Sequence, residues 1–515
     1  MEHIARGGDR LRRIGLILGP VLFGAAFLFQ APAEHPTAGR MAAVALLMAT
    51  WWITDAIPLF ATALLPLALF PLLGLAGGGP TATQYFNGTI VLYLGGFLIA
   101  LAMQRWNLHR RIALAIIQRV GGTPARLVLG FMLAAAFLSM WISNTATAIM
   151  MVPIGLAIVV TMEETFGTED THPFTVAVML GIAYACSMGG ISTLVGTPPN
   201  LSFSRIFAVT YPDAPPIGFG QWFLLGLPVG ATMLVITWFL LTRVLYRSPS
   251  HVHADPSVIE DERAKLGPAS FEEKVVMAIF ATTALLWVFR VRISLGAFAI
   301  PGWSELFPDP SLFDDGTVAI ALSSLLFLIP ARDRGEGKGM ILDANVIRRL
   351  PWDIVLLFGG GFALAYGFRA TGLSDVIGEQ FAGLSAAPPL LIVASICLVI
   401  TFLTELTSNL ATTEMILPIL ASVSVAAGLH PLLLMVPATI SASCAFMMPV
   451  ATPPNAIVFG SERVRIAEMA RAGIVLNLIG VVVVATLFYL IGPTVFGMDP
   501  SVVPDWAQNA VRTVP

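Results

Sequence analysis

The sequence SMWISNTATAIMMVPIGLAI (139–158) decides how this chain folds, because it puts a polar turn in the middle of an apolar run. A helix needs about 20 mostly apolar residues to cross a bilayer, and the Ser-Asn-Thr group at 143–145 is too polar for the centre of an ordinary span. We expect a hairpin over 124–161 that enters and leaves the membrane on one side. The run TELTSNLATTEMILPILASV (404–423) has the same design and predicts a second hairpin over 388–428.

The composition is that of a membrane protein. Apolar residues make up 57% of the 515 residues and charged residues 11%, with a mean hydropathy of +0.83. Soluble proteins carry roughly 45–50% apolar and about 25% charged residues, which excludes a soluble enzyme, a coiled coil and a disordered protein. The net charge of −3 gives no basic field that would attract a polyanion. The chain is therefore predicted to be an all-α polytopic membrane protein without a nucleic-acid partner.

Eleven further apolar segments outside the two hairpins predict membrane spans. They lie at 14–31, 38–56, 58–77, 89–106, 174–208, 219–242, 272–290, 315–330, 353–370, 431–459 and 472–496. Tandem prolines interrupt two of them, 174–208 and 431–459, and proline disfavours helix at and just before its own position. In a membrane such a break is tolerated where the freed backbone groups line a cavity or meet neighbouring helices. We therefore expect two broken helices beside the two hairpins.

The distribution of Lys and Arg predicts the orientation of the chain. If the N-terminus is cytoplasmic, 22 of the 28 basic residues fall in inside segments, as the positive-inside rule requires. This topology puts the C-terminus outside and predicts an integral protein of the bacterial inner membrane. The basic segment 1–14 is followed by no small-residue cleavage site, so we interpret it as the cytoplasmic start of the first helix and not as a removed signal peptide.

Two halves of the chain resemble each other. The runs that begin at Val91, Ser139 and Ile191 match runs that begin, in the same order, at Val355, Thr404 and Met447. Five steps separate the span at 89–106 from the span at 353–370, and an odd number of crossings inverts the direction of the second half. Inverted repeats are common in secondary transporters, which hold their substrate between broken helices near the membrane midplane.

The four polar motifs at the matched positions are the candidate site. They are Ser143-Asn144-Thr145, Gly196-Thr197-Pro198-Pro199-Asn200, Ser408-Asn409-Leu410 and Ala451-Thr452-Pro453-Pro454-Asn455. Hydroxyl, amide and carbonyl oxygens suit hard cations, and helix N-termini at the same breaks suit anions. No Lys or Arg occurs in 127–204 or 370–462. A site with neither arginines nor paired carboxylates favours joint binding of an anion and cations, which predicts cation-coupled anion transport.

Two carboxyl groups lie close to these motifs, and both are in the second half only. Glu405 and Glu414 have Met140 and Ile149 as their counterparts in the first half. We interpret Glu405 as a residue that orients the hairpin through hydrogen bonds, with a place beside a cation as the alternative. Asp55, next to Pro58 at the end of a span, is interpreted as interfacial.

Other interpretations of these residues remain open. Ser and Asn also cap helices and form turns, so the Ser-Asn motifs could be structural, and a channel for a small polar solute is an alternative from a different class. An enzyme is not expected, because Ser143 has no general base nearby. His251 and His253 lie in a hydrophilic loop and predict no metal site, and no cofactor is expected. No disulfide or zinc site is predicted from the three scattered cysteines, Cys186, Cys397 and Cys444.

With its SNTATA, TSNLAT, GTPPN and ATPPN motifs, the chain resembles the divalent anion/sodium symporter family (the DASS or solute carrier thirteen group) over residues 40–496. The resemblance implies a homodimer in which each protomer has a scaffold and a transport domain that moves like an elevator. Members carry dicarboxylates, citrate or sulfate, most often with sodium.

The resemblance also implies a set of site residues. Substrate contacts are expected from Ser143, Asn144, Thr145, Thr197, Pro198, Ser408, Asn409, Thr452 and Pro453. Sodium ligands are expected from Ser139, Ser143, Asn144 and Gly196 at one site, and from Thr404, Ser408, Asn409 and Ala451 at the other. Leu410 departs from the family pattern, because the most symmetrical members carry a second threonine there.

The predicted function is sodium-coupled uptake of small divalent anions, with C4-dicarboxylates such as succinate, malate and fumarate as the first choice. A sodium-independent dicarboxylate exchanger and a sulfate or citrate transporter are the alternatives within the family. The expected organisation is N-terminal scaffold helices at 1–88, a first repeat core at 89–218, scaffold helices and a cytoplasmic loop at 219–352, a second repeat core at 353–470, and a last helix with an external tail at 471–515.

Overall fold

The computed structural model describes residues 2–28, 31–249, 251–252, 257–295, 298–332, 339–380 and 388–512. These residues form helices almost throughout, and the one sheet among them is an antiparallel pair of short strands, β1 (Ile293–Leu295) and β2 (Phe298–Ile300). The predicted all-α class is therefore confirmed for the described part of the chain. His253 and the last three residues of the predicted external tail lie outside the described residues.

The N-terminal part forms seven helices, of which α1 packs along α2. They are α1 (Glu2–Phe27), α2 (Ala38–Thr54), α3 (Leu59–Ala63), α4 (Leu65–Leu72), α5 (Gly78–Ala82), α6 (Gly88–Arg105) and α7 (Leu108–Val120). The predicted span at 58–77 is interrupted, because the structure divides it into α3 and α4. Pro66 has no amide to donate to the preceding turn, which interrupts a continuous helix here.

A pair of helices joined by a short tip and an interrupted helix lie where the first hairpin and the first broken helix are predicted, and the entry and exit of the pair on one side of the membrane stays a prediction. α8 (Pro124–Ser139) and α9 (Asn144–Phe166) join at a tip of four residues, and α9 runs beyond the predicted end of the hairpin at 161. α10 (Thr168–Ile191) packs against both of them. Six residues without α-helix then separate α10 from α11 (Pro198–Thr210), at the position of the tandem prolines.

The second half repeats this arrangement. The hairpin consists of α18 (Pro389–Thr404) and α19 (Asn409–Ala426), and the broken helix consists of α20 (Pro431–Ala442) and α21 (Pro453–Phe459). α22 (Ile466–Phe496) packs against α18, α20 and α12, and α23 (Asp505–Arg512) ends the described chain. The hairpins and the broken helices thus form one packed group together with α12 and α22.

The helices between the two halves complete the fold. They are α12 (Phe219–Phe239), which continues as one π-helical segment (Leu240–Leu245), then α13 (Ser257–Ala264), α14 (Phe271–Val288), α15 (Asp315–Leu325), α16 (Trp352–Ala370) and α17 (Leu373–Gln380). α6, α14 and α15 pack together, and α16 packs against α3, α11 and α19. α16 is therefore the helix on which the first broken helix and the second hairpin both rest.

Seven described helices are long and apolar enough to cross a membrane. They are Gly88–Arg105, Asn144–Phe166, Thr168–Ile191, Phe219–Leu245, Trp352–Ala370, Asn409–Ala426 and Ile466–Phe496. Five coincide with predicted spans, and two are the second arms of the hairpins. The total of eleven spans stays a prediction, because the other six predicted spans contain no described helix that meets these criteria of length and hydropathy.

Ion pairs join segments that the charge pattern assigns to the same side of the membrane. Arg111 binds Glu273 through two nitrogens at 2.8 and 3.0 Å, and both residues belong to inside segments. Arg463 lies 2.7 Å from Glu163, and both residues again belong to segments that are predicted to lie inside. Arg290 binds Asp315 at 2.5 Å on the predicted outer side. These contacts are consistent with the predicted orientation.

The Arg290–Asp315 pair gives a stability prediction. Its carboxylate also accepts from the backbone N–H of Phe219 at 3.1 Å and is largely buried. Arg290→Ala leaves this carboxylate without its cation and is expected to cost about 3–5 kcal/mol, seen as a lower melting temperature in detergent. Arg292→Ala is the matched control, because its pair with Glu305 is exposed and is expected to matter little. Equal melting temperatures of the two variants would contradict the prediction.

Candidate functional site

The four polar motifs converge on one cavity of about 1030 Å³. Eleven of the thirteen predicted site residues line it, namely Ser143, Asn144, Thr145, Gly196, Thr197, Pro198, Ser408, Asn409, Ala451, Thr452 and Pro453. The other two, Ser139 and Thr404, are fully buried behind the lining. Residues from the two halves, separated by about 260 positions in the chain, thus face one another across a single space.

Four helices begin at this cavity, and their first residues explain why. Ser143 precedes α9, and its Oγ accepts from the backbone N–H of Ala146 at 3.2 Å. Thr452 precedes α21 and accepts from the N–H of Asn455 at 3.3 Å. Thr197 and Ser408 precede α11 and α19, and their side chains cap no amide. Prolines occupy the first positions of α11 and α21, where the missing N–H costs nothing. Partial positive charge from α9, α11 and α19 is therefore directed at the cavity.

A cluster of oxygen atoms lies behind the first hairpin tip. The Ser139 hydroxyl donates a short hydrogen bond to Oδ1 of Asn144. A Cβ at Gly190 would stand only 2.8 Å from this Oδ1 and 3.1 Å from the carbonyl oxygen of Gly196. Only glycine fits at position 190, because the amide oxygen and the Gly196 carbonyl both approach its backbone closely. Three oxygens from three elements, none charged, therefore lie around one point.

The second half contains a similar cluster, although its third oxygen belongs to Ala442 and not to Ala451, the predicted counterpart of Gly196. The Thr404 hydroxyl lies 2.7 Å from Oδ1 of Asn409 and 2.8 Å from the carbonyl oxygen of Ala442. Because the hydroxyl has a single hydrogen, these two acceptor oxygens have to share it. Thr404 and Asn409 stand 265 residues after Ser139 and Asn144, so the two clusters are related by the internal repeat. Neutral oxygens of these kinds are among the ligands that hard cations take in proteins.

Asn200 and Asn455 hold the two helix breaks in shape. Nδ2 of Asn200 donates to the carbonyls of Gly190 at 3.0 Å and Thr193 at 2.7 Å. Nδ2 of Asn455 donates to those of Ala445 at 3.2 Å and Met448 at 3.1 Å. The prediction assigned neither residue a role, although the repeated Asn after each proline pair was a signal for one. Both side chains satisfy backbone carbonyls that the break leaves without helix partners.

Glu405 ties the second hairpin tip to the second break. Its carboxylate accepts from the backbone amides of Phe446, Met447 and Met448 at 2.7–3.0 Å and from Nδ2 of Asn477 at 2.8 Å. These four donors support the interpretation of Glu405 as an orienting residue. In the first half the corresponding link is a single hydrogen bond, which the Thr193 hydroxyl donates to a backbone carbonyl at 2.5 Å.

Fixed charge is confined to one end of the cavity. Arg12 within α1, Asp55 just after α2 and Asp353 at the start of α16 line it, and Arg12 is the one Lys or Arg among the lining residues that the structure describes. Asp55 is exposed at this mouth, in agreement with its interpretation as interfacial. The four motifs themselves contribute oxygens and amide groups but no charged side chain.

Two lining residues bear on the departure at the second tip. Leu410 is buried at the cavity wall where the first half has the hydroxyl of Thr145. Thr407, which the prediction missed, also lines the cavity, and its hydroxyl lies 2.5 Å from that of Thr412. No repeat signal pointed to Thr407, because Ile142 is its counterpart in the first half.

His251 and the three cysteines are not among the residues that line the cavity. No group of three or more His, Cys, Asp or Glu side chains within the described ranges could hold a metal ion. The three cysteines are buried and free. His251 lies 3.0 Å from Asp170, away from the cavity.

Comparisons with known proteins agree with this geometry. The model of the sodium:sulfate symporter transmembrane region matches residues 14–498. The sodium-dependent dicarboxylate transporter SdcS of Staphylococcus aureus strain MRSA252 is 43% identical over 492 residues, which are 94% of this chain and 92% of SdcS. The same transporter of strain NCTC 8325 / PS 47 is equally similar, with the same coverage of both chains.

Two solved structures share the fold at low sequence identity. The YdaH transporter of Alcanivorax borkumensis matches with a TM-score of 0.53 and 14% identity, over 88% of this chain and 98% of YdaH. The MtrF efflux pump of Neisseria gonorrhoeae matches with a TM-score of 0.53 and 15% identity, over 79% of this chain and 82% of MtrF. The match to the family model over nearly the whole chain, together with the identity to SdcS, confirms the predicted family. The chain belongs to the sodium:sulfate symporter family, the divalent anion/sodium symporters.

Proposed function

We propose that this protein is a secondary transporter that takes up small divalent anions, C4-dicarboxylates in the first place, together with sodium. The observation that carries the proposal is the convergence of all four motifs, none of which contains a charged side chain, on one cavity. The name of the relative SdcS, a sodium-dependent dicarboxylate transporter, supports the same substrate and the same coupling ion.

The need for sodium follows from electrostatics. Moving an ion from water into a protein interior without a partner costs many kcal/mol, and a dicarboxylate brings two negative charges. Helix N-termini supply only about half an elementary charge each. The oxygen clusters around Asn144 and Asn409 would each hold one sodium ion, which neutralises the dianion between them. Ser143, Thr145, Thr197, Ser408 and Thr452 would then contact the anion.

Sodium would also order the site before the anion arrives. In the structure the Asn144 and Asn409 side chains accept hydrogen bonds from Ser139 and Thr404. A cation coordinated by the amide oxygens would fix the two hairpin tips in place and create the positive field that admits the anion. Anion binding would thus depend on prior sodium binding, which is the basis of coupling.

Translocation is proposed to move the packed group of hairpins and broken helices past the remaining helices, in a homodimer. The exposed lining residues Arg12 and Asp55 lie in a region that the charge pattern assigns to the cytoplasm, and we place the mouth of the cavity there. On that assignment the structure represents the inward-facing state, in the bacterial inner membrane. An elevator motion would carry the cavity to the other side without breaking the hydrogen bonds that hold the site together.

The coupling ion can be tested by transport. In proteoliposomes, uptake of labelled succinate is expected under an inward sodium gradient and is expected to fall at least about tenfold when choline replaces sodium. Competition by unlabelled malate, fumarate, sulfate and citrate ranks the anions. Unchanged uptake in choline that requires succinate inside the vesicles would identify an exchanger and overturn the symport proposal.

The two amide side chains can be tested separately. Asn144→Ala and Asn409→Ala each remove an oxygen of one cluster and are expected to lower succinate uptake at least about tenfold and to raise the sodium concentration for half-maximal uptake. Asn345→Ala, at an exposed position of the short segment Ala344–Arg349, is the control and should transport normally. Normal uptake by either cavity variant, with the protein present at equal amount, would remove that residue from the site.

The departure at Leu410 makes a third prediction. Leu410→Thr restores a hydroxyl at the second hairpin tip, and a hydrogen bond to a charged partner contributes about 1.5 kcal/mol. The KM for succinate is therefore expected to fall by up to about tenfold. Leu410→Val has the shape of threonine without its hydroxyl. It therefore separates the effect of the hydroxyl from the effect of the smaller side chain. Equal KM values for the Thr and Val variants would show that the hydroxyl does not contact the anion.

A further inference from the structure

Glu414 is a buried carboxyl that the proposed transport site does not use. It lies on α19, outside the lining of the cavity, and none of its surface is exposed. Its Oε1 accepts a short hydrogen bond from the hydroxyl of Ser202 on α11. Its Oε2 has no hydrogen-bond partner among the described residues. The pair connects the second hairpin with the first broken helix, and hence the two repeats.

The carboxyl group lies against the backbone of α16. A Cβ at Gly361 would overlap with Oε2 and the carboxyl carbon of Glu414, so only glycine leaves room for the acid. α16 belongs neither to the hairpins nor to the broken helices, and it packs on both α11 and α19. If α16, which the sequence assigns to the second repeat core, stays behind during the motion, Glu414 lies on the surface where the moving group meets it.

Positive charge that could balance an ionised Glu414 is absent among the described residues. None of the ion pairs includes it. Arg205, one turn beyond Ser202, donates to Oε1 of Gln84. Arg369 donates to the carbonyl of Val209. The other ionisable side chains on helices that pack against α19 are Arg40 on α2, Asp353 and Tyr366 on α16, Asp375 and Glu379 on α17, and Cys397 on α18.

A carboxylate with one hydroxyl donor and no cation is strongly disfavoured in such surroundings, and a buried acid of this kind takes up a proton instead. The surroundings of Glu414 differ in a state in which α16 no longer covers it. If the hairpins and broken helices move past α16, Ser202 and Glu414 move together, and the glycine face of α16 leaves them. The acid would then lose its apolar cover and be free to ionise.

We propose that Glu414 is a proton-binding site at the sliding surface, and that the conformation seen here requires its proton. This inference rests on the elevator motion proposed above. The sign follows from linkage: the present state binds the proton more tightly than the moved state, so a lower pH favours the present state and a higher pH favours the moved state. Protons would thus regulate the conformational equilibrium independently of sodium and the anion.

The test measures conformation and not transport. Val450 lines the cavity and is largely exposed, so a Val450→Cys variant of the full chain can be labelled with a membrane-impermeant maleimide when the cavity is open. Of the two orientations of the protein in vesicles, the one in which the cysteine is labelled faster is used. Labelling is measured without succinate at several pH values between about 6.5 and about 9. The three native cysteines are buried and contribute little labelling.

Glu414→Gln provides the reference at each pH, because it mimics the protonated acid in shape and charge and cannot titrate. The labelling rate of Val450→Cys with the native Glu414 is divided by the rate of Val450→Cys in the E414Q background, which removes the pH dependence of the thiol reaction itself. This ratio is expected to fall about fivefold or more from about pH 6.5 to about pH 9, a typical coupling between two sites. A ratio that stays constant over this range would overturn the proposal.

Ser202→Ala gives a second and directional test. Loss of the one hydroxyl that stabilises the ionised acid should make ionisation harder, so the fall in the ratio should shift to higher pH. A shift to lower pH would contradict the proposed role. The labelling experiment needs no sodium-dependent uptake, so failure of the proposed function would appear as absent succinate transport with the pH response intact.

Discussion

Every backbone group at a helix break must find a partner, because the hydrocarbon core of a membrane offers no water. This constraint governs the site. Asn200 and Asn455 donate to the carbonyls that the two breaks set free, and Glu405 accepts from three amides of the second break. Because side chains of these loops satisfy most of the freed groups, the remaining oxygens can face the cavity and serve ions.

The two repeats link the helix break to the hairpin tip with hydrogen bonds of different strength. In the first half a neutral hydroxyl, that of Thr193, links the break to the hairpin tip. In the second half a carboxylate with four donors does so, and Asn477 extends the link to α22. Hydrogen bonds to a carboxylate are roughly twice as strong as those between neutral groups. The second oxygen cluster is therefore held more rigidly than the first, although the motifs that line the cavity are nearly identical.

The sequence predicted the features that depend on local chemistry. Tandem prolines inside an apolar run locate a helix break, and a Ser-Asn pair in such a run locates a hairpin tip, so both hairpins and both broken helices were predictable. The repeat then implied that the motifs meet. The partners of Glu405 and the contact between Ser202 and Glu414 were not predictable, because they join residues far apart in the chain through packing alone. The split of 58–77 at Pro66 was missed because hydropathy there is uniformly high.

Scarce charge is handled in three ways within one molecule. Glu405 is held against backbone amides, which are fixed and cannot be released. In the cavity, the charge of the anion would be balanced by sodium ions that bind and dissociate. This suits a site that must be loaded and emptied. Glu414 accepts from one hydroxyl, that of Ser202, and lies against the backbone of Gly361, so in our proposal a proton neutralises it. The partner of each negative group thus follows from the space around it and from whether that partner must leave during the transport cycle.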